Sequence, residues 1–173
     1  FFNFYGGSCK QKGGPCWSAG IEAQKKNFGH VKSHSLEDML NSKTIIVWGK
    51  NPANTTIHTM QMIKKAQKMG AFVIVIDPIL TDTAKQADFY LRIKPGGDGA
   101  LALAMGKRII ELNLHDEDYI NKYVKNFKEY KDYVEKLNLE KLCKICGVSM
   151  EDLDFIIKKY TNSYSTILQG YGM

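Results

Sequence analysis

Two runs of apolar, mostly β-branched residues, Thr44-Ile45-Ile46-Val47-Trp48 and Phe72-Val73-Ile74-Val75-Ile76, flank a segment of helical periodicity, and that arrangement leaves few folds open. Neither run alternates apolar with polar residues, which marks strands buried on both faces. Between them Ile57, Met60, Ile63, Ala66 and Met69 recur at helical spacing, with Lys64, Lys65 and Lys68 interspersed and Gly70 placed as a helix stop. Strand, helix and strand within 33 residues make a βαβ unit, so the strands lie parallel and the crossover is right-handed. The reading is an α/β fold, Rossmann-like and doubly wound, with a mainly parallel sheet and flanking helices.

The rest of the chain extends this pattern. Phe89 to Ile93 reads as a third, shorter strand, followed by a helix from about Ala100 to Leu112 and two or three helices within residues 116 to 146. Ser149 and Asp152 form a capping box for a helix from Met150 to Tyr160, and Thr166 to Gln169 is a fourth strand running into Gly170. Ser35 with Asp38 caps a short helix through Leu40. Residues 1–20 carry Gly6, Gly7, Gly13, Gly14 and Gly20 around Pro15 and read as a glycine-rich loop, with a helix starting near Ile21. At 173 residues the chain is expected to form a single α/β domain over 1–173, with an active-site loop at 1–20 and a strand and helix core at 44–173. It starts without Met and closes on Gly170-Tyr171-Gly172-Met173 after an apolar run, so a fragment of a longer chain is expected.

Charge and cysteine usage narrow the function classes. Residues 1–76 hold 10 Lys against 3 acids, whereas the remainder is nearly balanced, so the first half is the one that would face an anion. Only Arg92 and Arg108 are arginines, a poor complement for guanine readers, and no nucleic-acid partner is expected. No apolar stretch approaches the roughly 20 residues of a transmembrane helix. Cys143-Lys144-Ile145-Cys146 precedes Gly147 and reads as a helix end, the wrong pole for a reactive redox pair, which favours buried structural thiols. Cys9 and Cys16 do not complete a disulfide scaffold; a reducing, cytoplasmic setting fits, and an exported or membrane-associated complex stays open. His30, His34, His58 and His115 stand isolated from other ligand-type residues.

In an open parallel sheet, ligands sit beyond the carboxyl ends of the strands. The residues there are Gly49-Lys50-Asn51-Pro52, Asp77-Pro78, Pro95-Gly96-Gly97-Asp98-Gly99 and Gly170-Tyr171-Gly172. Each alone is an ordinary turn. Together at one edge they offer close backbone approach, the amide of Asn51 and the carboxylate of Asp77, placed where such folds hold a ribose or base. A nucleotide-like ligand follows. Neither G-x-G-x-x-G after the first strand nor a P-loop motif occurs, which disfavours a simple NAD enzyme or P-loop NTPase. A non-catalytic nucleotide- or anion-binding α/β module, and a structural domain without a small ligand, remain alternatives on these residues alone.

The ordered series Trp48-Gly49-Lys50-Asn51-Pro52-Ala53, Val75-Ile76-Asp77-Pro78, Thr81-x-Thr83-Ala84-x-x-Ala87-Asp88 and Ile93-Lys94-Pro95-Gly96-Gly97-Asp98-Gly99-Ala100 resembles the molybdopterin oxidoreductases of the dimethyl sulfoxide reductase type. That family includes formate dehydrogenases, nitrate reductases and S- or N-oxide reductases. The resemblance spans nearly the whole chain and implies part of a catalytic subunit for oxo transfer or two-electron redox of a small-molecule substrate. The implied cofactor is bis-molybdopterin guanine dinucleotide carrying molybdenum or tungsten. An iron–sulfur cluster in an amino-terminal segment beyond this piece and an iron–sulfur electron-transfer subunit are further implications.

By the same resemblance Trp48, Gly49, Asn51, Pro52 and Thr55 would contact the cofactor after the first strand. Asp77 and Pro78 would hold the guanine nucleotide; Thr83, Pro95, Gly96 and Asp98 would add a further cofactor surface; and Gly170 and Gly172 would lie near the pterin. Gly97 departs from the family, which more often has Thr or Ser there. The loop Gly13-Gly14-Pro15-Cys16-Trp17-Ser18-Ala19-Gly20 resembles the segment that supplies the protein's own metal ligand. Two registers fit, one making Ser18 the ligand and one making it Cys16, with Ser18 favoured.

Overall fold

The computed structural model describes residues 2–9, 13–14 and 16–170, in two compact units that divide between His34 and Ser35. The first unit holds a 3₁₀ turn at Phe2–Tyr5 and helix α1 at Ser18–Phe28, closed by Gly29 in the left-handed region (φ 75°). The loop therefore ends at Trp17, short of the expected helix start near Ile21: the Trp17 carbonyl accepts from the Ile21 N–H at 3.0 Å. Gly20 reads as a breaker, but a first-turn glycine sits where backbone N–H groups lack helical partners anyway.

The second unit is built on a four-stranded parallel sheet in the order β3-β2-β1-β4, with β1 at Thr44–Trp48, β2 at Phe72–Asp77, β3 at Phe89–Arg92 and β4 at Ser165–Gln169. Ile46 of β1 lies level with Ile74 of β2 and with Ile167 of β4. The two-residue side-chain period sorts each strand between two cores. Ile46, Trp48, Ile74, Ile76 and Leu91 pack under helices α4 (Asp98–Glu111), α7 (Leu139–Cys146) and α8 (Met150–Thr161). Ile45, Val47, Val73 and Val75 face Met60, Ile63 and Ala66 of helix α3 (Ile57–Lys68), with Met39 from a 3₁₀ turn at Glu37–Asn41. Each fully buried Ile or Val contributes roughly 1.5–3 kcal/mol relative to exposure. Continuous apolar strands are the consequence of having helices on both faces.

Differences from the sequence reading are local. The short helix expected from Ser35 is the 3₁₀ turn just named, its N-cap being Leu36. Ahead of α3 lies a separate single turn, α2 at Pro52–Thr55, because Pro52 starts a helix at its first position and Thr56 (φ −144°, ψ 72°) leaves helical geometry before α3 begins. Residues 116–146 resolve into three helices, α5 (Glu117–Tyr123), α6 (Phe127–Glu135) and α7. Their separators include Asn126, whose φ of 58° only a few residue types tolerate. The Ser149 cap is as expected, its Oγ accepting the Asp152 N–H at 3.0 Å. Cys143 and Cys146 are buried at the end of α7, and burial pushes both thiols up, so they are structural rather than reactive.

Arg108 of α4 grips Asp154 of α8 through two bonds, Nε to Oδ1 at 2.7 Å and Nη2 to Oδ2 at 3.0 Å. These bonds hold the Asp154 carboxyl below the usual carboxylate range, against an opposing push from partial burial. A carboxyl depressed in the folded state stabilises the fold above its unfolded value of about 3.9 and loses that contribution as pH falls through the folded value. Asp154→Asn should accordingly lower the melting temperature of the full-length protein at pH 7 by an increment that shrinks to nothing in acid below the depressed value. A difference that persists unchanged at low pH would assign the effect to packing.

Candidate functional site

The chain runs outward from β1 through β2 to β3 and then returns to the other side of β1 as β4. The strand order therefore reverses between β1 and β4, and doubly wound sheets take ligands beyond the carboxyl edge at such a point. Gly49 closes β1 with φ 58° and donates its N–H to the Ile76 carbonyl at 2.9 Å. Gly170 donates to the Trp48 carbonyl at 2.8 Å, and a Cβ on Gly170 would overlap the Gly49 carbonyl oxygen. Glycine is needed at 170 because two backbones meet there. Gly172 lies outside the described residues.

Asn51 is the N-cap of α2, yet its side chain makes no capping bond. Its Oδ1 instead accepts from Thr83 Oγ1 at 2.7 Å and from the Thr83 N–H at 3.3 Å. Thr83 Oγ1 in turn accepts the Ala53 N–H at 3.0 Å. Pro52 is buried as the first residue of α2, and Thr55 Oγ1 donates to the Asn51 carbonyl at 2.9 Å, stiffening the same turn.

Asp77 ends β2 at 8% exposure, with Oδ1 accepting the Ile79 N–H at 3.0 Å. Among the described residues no donor meets its Oδ2. Its carbonyl accepts from the Tyr90 hydroxyl at 3.0 Å, and the Arg92 Nε donates to the Pro78 carbonyl at 3.3 Å. Burial pushes the Tyr90 hydroxyl up, with Arg92 opposing and Asp77 reinforcing, so it stays a donor at neutral pH. Neither Tyr90 nor Arg92 was among the site residues expected from the sequence. What brings them to Asp77 is the β2–β3 register, which sets Asp77 beside Arg92.

Lys94 to Gly97 form a turn closed by the Gly97 N–H on the Lys94 carbonyl at 2.9 Å, with Pro95 second and Gly96 third at φ 75°, the type II arrangement. Gly96 is exposed, and a Cβ there would meet open space. Gly97 has no such room: the Cys146 Cα lies 2.7 Å from where its Cβ would be. The departure from Thr or Ser at this position is thus required by the approach of α7. Asp98 opens α4, and its Oδ1 accepts from the Trp48 Nε1 at 2.7 Å. Trp48 belongs to the core under α4, α7 and α8, whereas Asp77 continues the Val73 and Val75 side of β2. Trp48 and Asp98 thus hold each other, on the other side of the sheet edge from Asp77.

In the amino-terminal unit, Ser18 is the first residue of α1 and its Oγ accepts the Gly14 N–H. Cys16 is exposed and unpaired with another cysteine. Two cavities of about 380 and 300 Å³ lie elsewhere, where α4 and α8 end, lined by Arg108, Leu112 and Asp154 in one and by His115, Tyr160 and Ser165 in the other. The carboxyl edge of the sheet gathers the turns after β1, β2 and β3. Along it lie the Asn51 amide, the buried Asp77 carboxylate with one oxygen engaged, the Arg92 guanidinium and the exposed backbone at Gly96.

The fold is that of an α/β domain with a parallel sheet and helices on both faces. The chain belongs to the molybdopterin oxidoreductase family, whose model matches residues 2–173. It is 39% identical over 173 residues to the "Probable oxidoreductase YyaE" of Bacillus subtilis, covering 100% of this chain and 26% of that protein. It is 35% identical over 155 residues to the assimilatory nitrate reductase catalytic subunit of the same organism, covering 88% and 22%. Among solved structures, acetylene hydratase from Pelobacter acetylenicus superposes with a TM-score of 0.78 at 27% identity, over 88% of this chain and 21% of that one. The chain spans about a quarter of the length of the curated relatives it matches.

Gly170→Ala in the full-length protein should cost roughly 1–3 kcal/mol of stability, the usual result of forcing atoms into packed backbone. Gly99→Ala serves as the control, since a Cβ at Gly99 meets nothing within 4 Å. Denaturant midpoints that shift equally for the two variants would show that the Gly49–Gly170 approach is not a constraint.

Proposed function

We propose that this chain forms part of the cofactor cage of a molybdenum or tungsten oxidoreductase and holds molybdopterin guanine dinucleotide along the carboxyl edge of its sheet. The observation that carries the reading is the placement of Asn51, Asp77 and Arg92 at the carboxyl ends of three adjacent strands, β1, β2 and β3, in a chain of this family. Asn51 would donate to an oxygen of the cofactor. Asp77 would accept from the guanine edge or a ribose hydroxyl through Oδ2, and Arg92 would balance phosphate charge. Pro95 and Gly96 would let the ligand lie against backbone, and Gly49 and Gly170 would do the same where β1 and β4 end. Trp48 and Asp98 would keep the loop after β3 in place.

When bound, the cofactor supplies the two-electron or oxo-transfer chemistry, and the protein contributes position and electrostatics. The metal would be carried by the organic cofactor with at most a single protein ligand, as the family resemblance implies. Ser18 is that ligand in the favoured register, Cys16 in the other. The Gly14 N–H on Ser18 Oγ supports Ser18, because a donor to the oxygen favours its ionised form, and a hard alkoxide suits a high-valent centre. The bis form of the cofactor, an iron–sulfur cluster in a preceding segment and an electron-transfer subunit complete the proposed enzyme. Its substrate would be a small molecule, as nitrate or formate is for relatives with those names. No helix among the described residues is long and apolar enough to cross a membrane.

In the full-length protein, Asp77→Ala should lower the molybdenum or tungsten bound per polypeptide, since an unmade bond to a buried donor costs about 1–3 kcal/mol. Metal content equal to wild type would remove Asp77 from the site, and a wild-type protein purified without either metal would favour the non-catalytic nucleotide-binding module. X-ray absorption on the holoenzyme separates the two ligand registers. Loss of a protein-derived oxygen ligand in Ser18→Ala supports the favoured one, and loss of a sulfur ligand in Cys16→Ala instead would replace it.

A further inference from the structure

We infer that Thr83 is a positioning residue that fixes the polarity of the Asn51 amide, so that at this point the site offers donors only and selects an acceptor on the ligand, a phosphoryl or carbonyl oxygen. The inference rests on the proposed assignment of the carboxyl edge to a guanine dinucleotide cofactor.

An N-cap asparagine ordinarily turns its side-chain oxygen onto the second or third N–H of its own helix. Asn51 does not. The duty at α2 is taken by Thr83, 32 residues downstream, whose Oγ1 accepts the Ala53 N–H at 3.0 Å. With that lone pair used, the single hydroxyl proton of Thr83 is directed to Asn51 Oδ1 at 2.7 Å.

An amide can be turned over to present either its oxygen or its nitrogen, and a hydroxyl alone would accept both orientations. The Thr83 backbone N–H, 3.3 Å from the same Asn51 atom, would not, because it can only donate. Two donors from one residue therefore hold the oxygen inward, and the NH₂ group is left facing away from Thr83. Among the described residues no acceptor meets Asn51 Nδ2. Thr83 is 1% exposed, so water cannot readily substitute for either of its bonds. The run from the Ala53 N–H through the Thr83 hydroxyl to the Asn51 oxygen points one way throughout, and each bond polarises the next. A ligand atom at Asn51 must then be an acceptor, and a carboxylate in its place would turn a negative oxygen to that acceptor.

The test uses the full-length holoenzyme and reads the rate at which guanine nucleotide is released into solution, with molybdenum or tungsten loss followed in parallel. Thr83→Val and Asn51→Ala should each speed release by roughly tenfold, equivalent to about 1.4 kcal/mol. Thr83→Ser, which keeps the hydroxyl, should release at close to the wild-type rate. The double variant Asn51→Ala/Thr83→Val should release no faster than Asn51→Ala alone, because Thr83 acts through the amide. Asn51→Asp, close to isosteric and folded if any variant here is, should release faster than wild type. Rates that multiply in the double variant would overturn the positioning role and leave Thr83 as a helix cap. Asn51→Asp holding nucleotide as tightly as wild type would overturn the donor assignment. Wild-type protein that carries no guanine nucleotide would overturn the cofactor reading, and this inference with it.

Discussion

Strand β1 is the element on which the second unit depends, because it is hydrogen-bonded to a neighbour on each edge and covered by a core on each face. Thr44 to Trp48 are all buried, so the backbone groups of this segment have no access to water and are satisfied by β2 and β4. That double pairing positions both sides of the switch point at once. Gly49 is tied to β2 through the Ile76 carbonyl, and Gly170 is tied to β1 through the Trp48 carbonyl. The turn after β1 and the end of β4 are therefore tied to the sheet itself.

From that edge, polar groups are held in two separate arrangements. On the side of α3, Thr83 sets the Asn51 amide, and Tyr90 and Arg92 hold the Asp77–Pro78 backbone through its carbonyls. The carboxylate of Asp77 is left with one oxygen unengaged among the described residues. On the side of α4, Trp48 and Asp98 satisfy each other and clamp the turn after β3. A residue at a strand end can thus serve a ligand or serve the loop that meets the ligand, and its hydrogen bonds decide which. Trp48 and Asp98 are spent on each other, whereas under the proposed function Asn51 and Asp77 would serve the ligand.

The same turn shows how packing limits composition. Gly97 abuts the last residue of α7, whose Cys146 carbonyl accepts the Lys94 N–H at 2.8 Å. The C-x-x-C spacing that invites a redox or zinc reading is here the means of bringing a helix end against the turn. The missing Cβ of Gly97 allows that close approach of the Cys146 backbone, and burial at the same helix end raises both thiol pKa values.

Strand runs, the crossover pattern and the caps at Ser149 and Gly147 were legible from the residues, because side-chain period and cap chemistry act over a few positions. The motif series likewise pointed to the family that the comparisons bear out. The helical start at Ser18 and the break at Thr56 were not legible, since weak local preferences decide them. Which groups meet at the strand ends depended on long-range placement. Arg92 comes beside Asp77 only through the β2–β3 register, Asp98 meets Trp48 across 50 residues, and Thr83 reaches Asn51 across 32. Sequence alone determined that this chain makes a parallel sheet with turns gathered at one edge, because burial and periodicity are local properties. Only the tertiary structure decided which of those turn residues hold one another, because that depends on strand register and on hydrogen bonds between segments far apart in the chain.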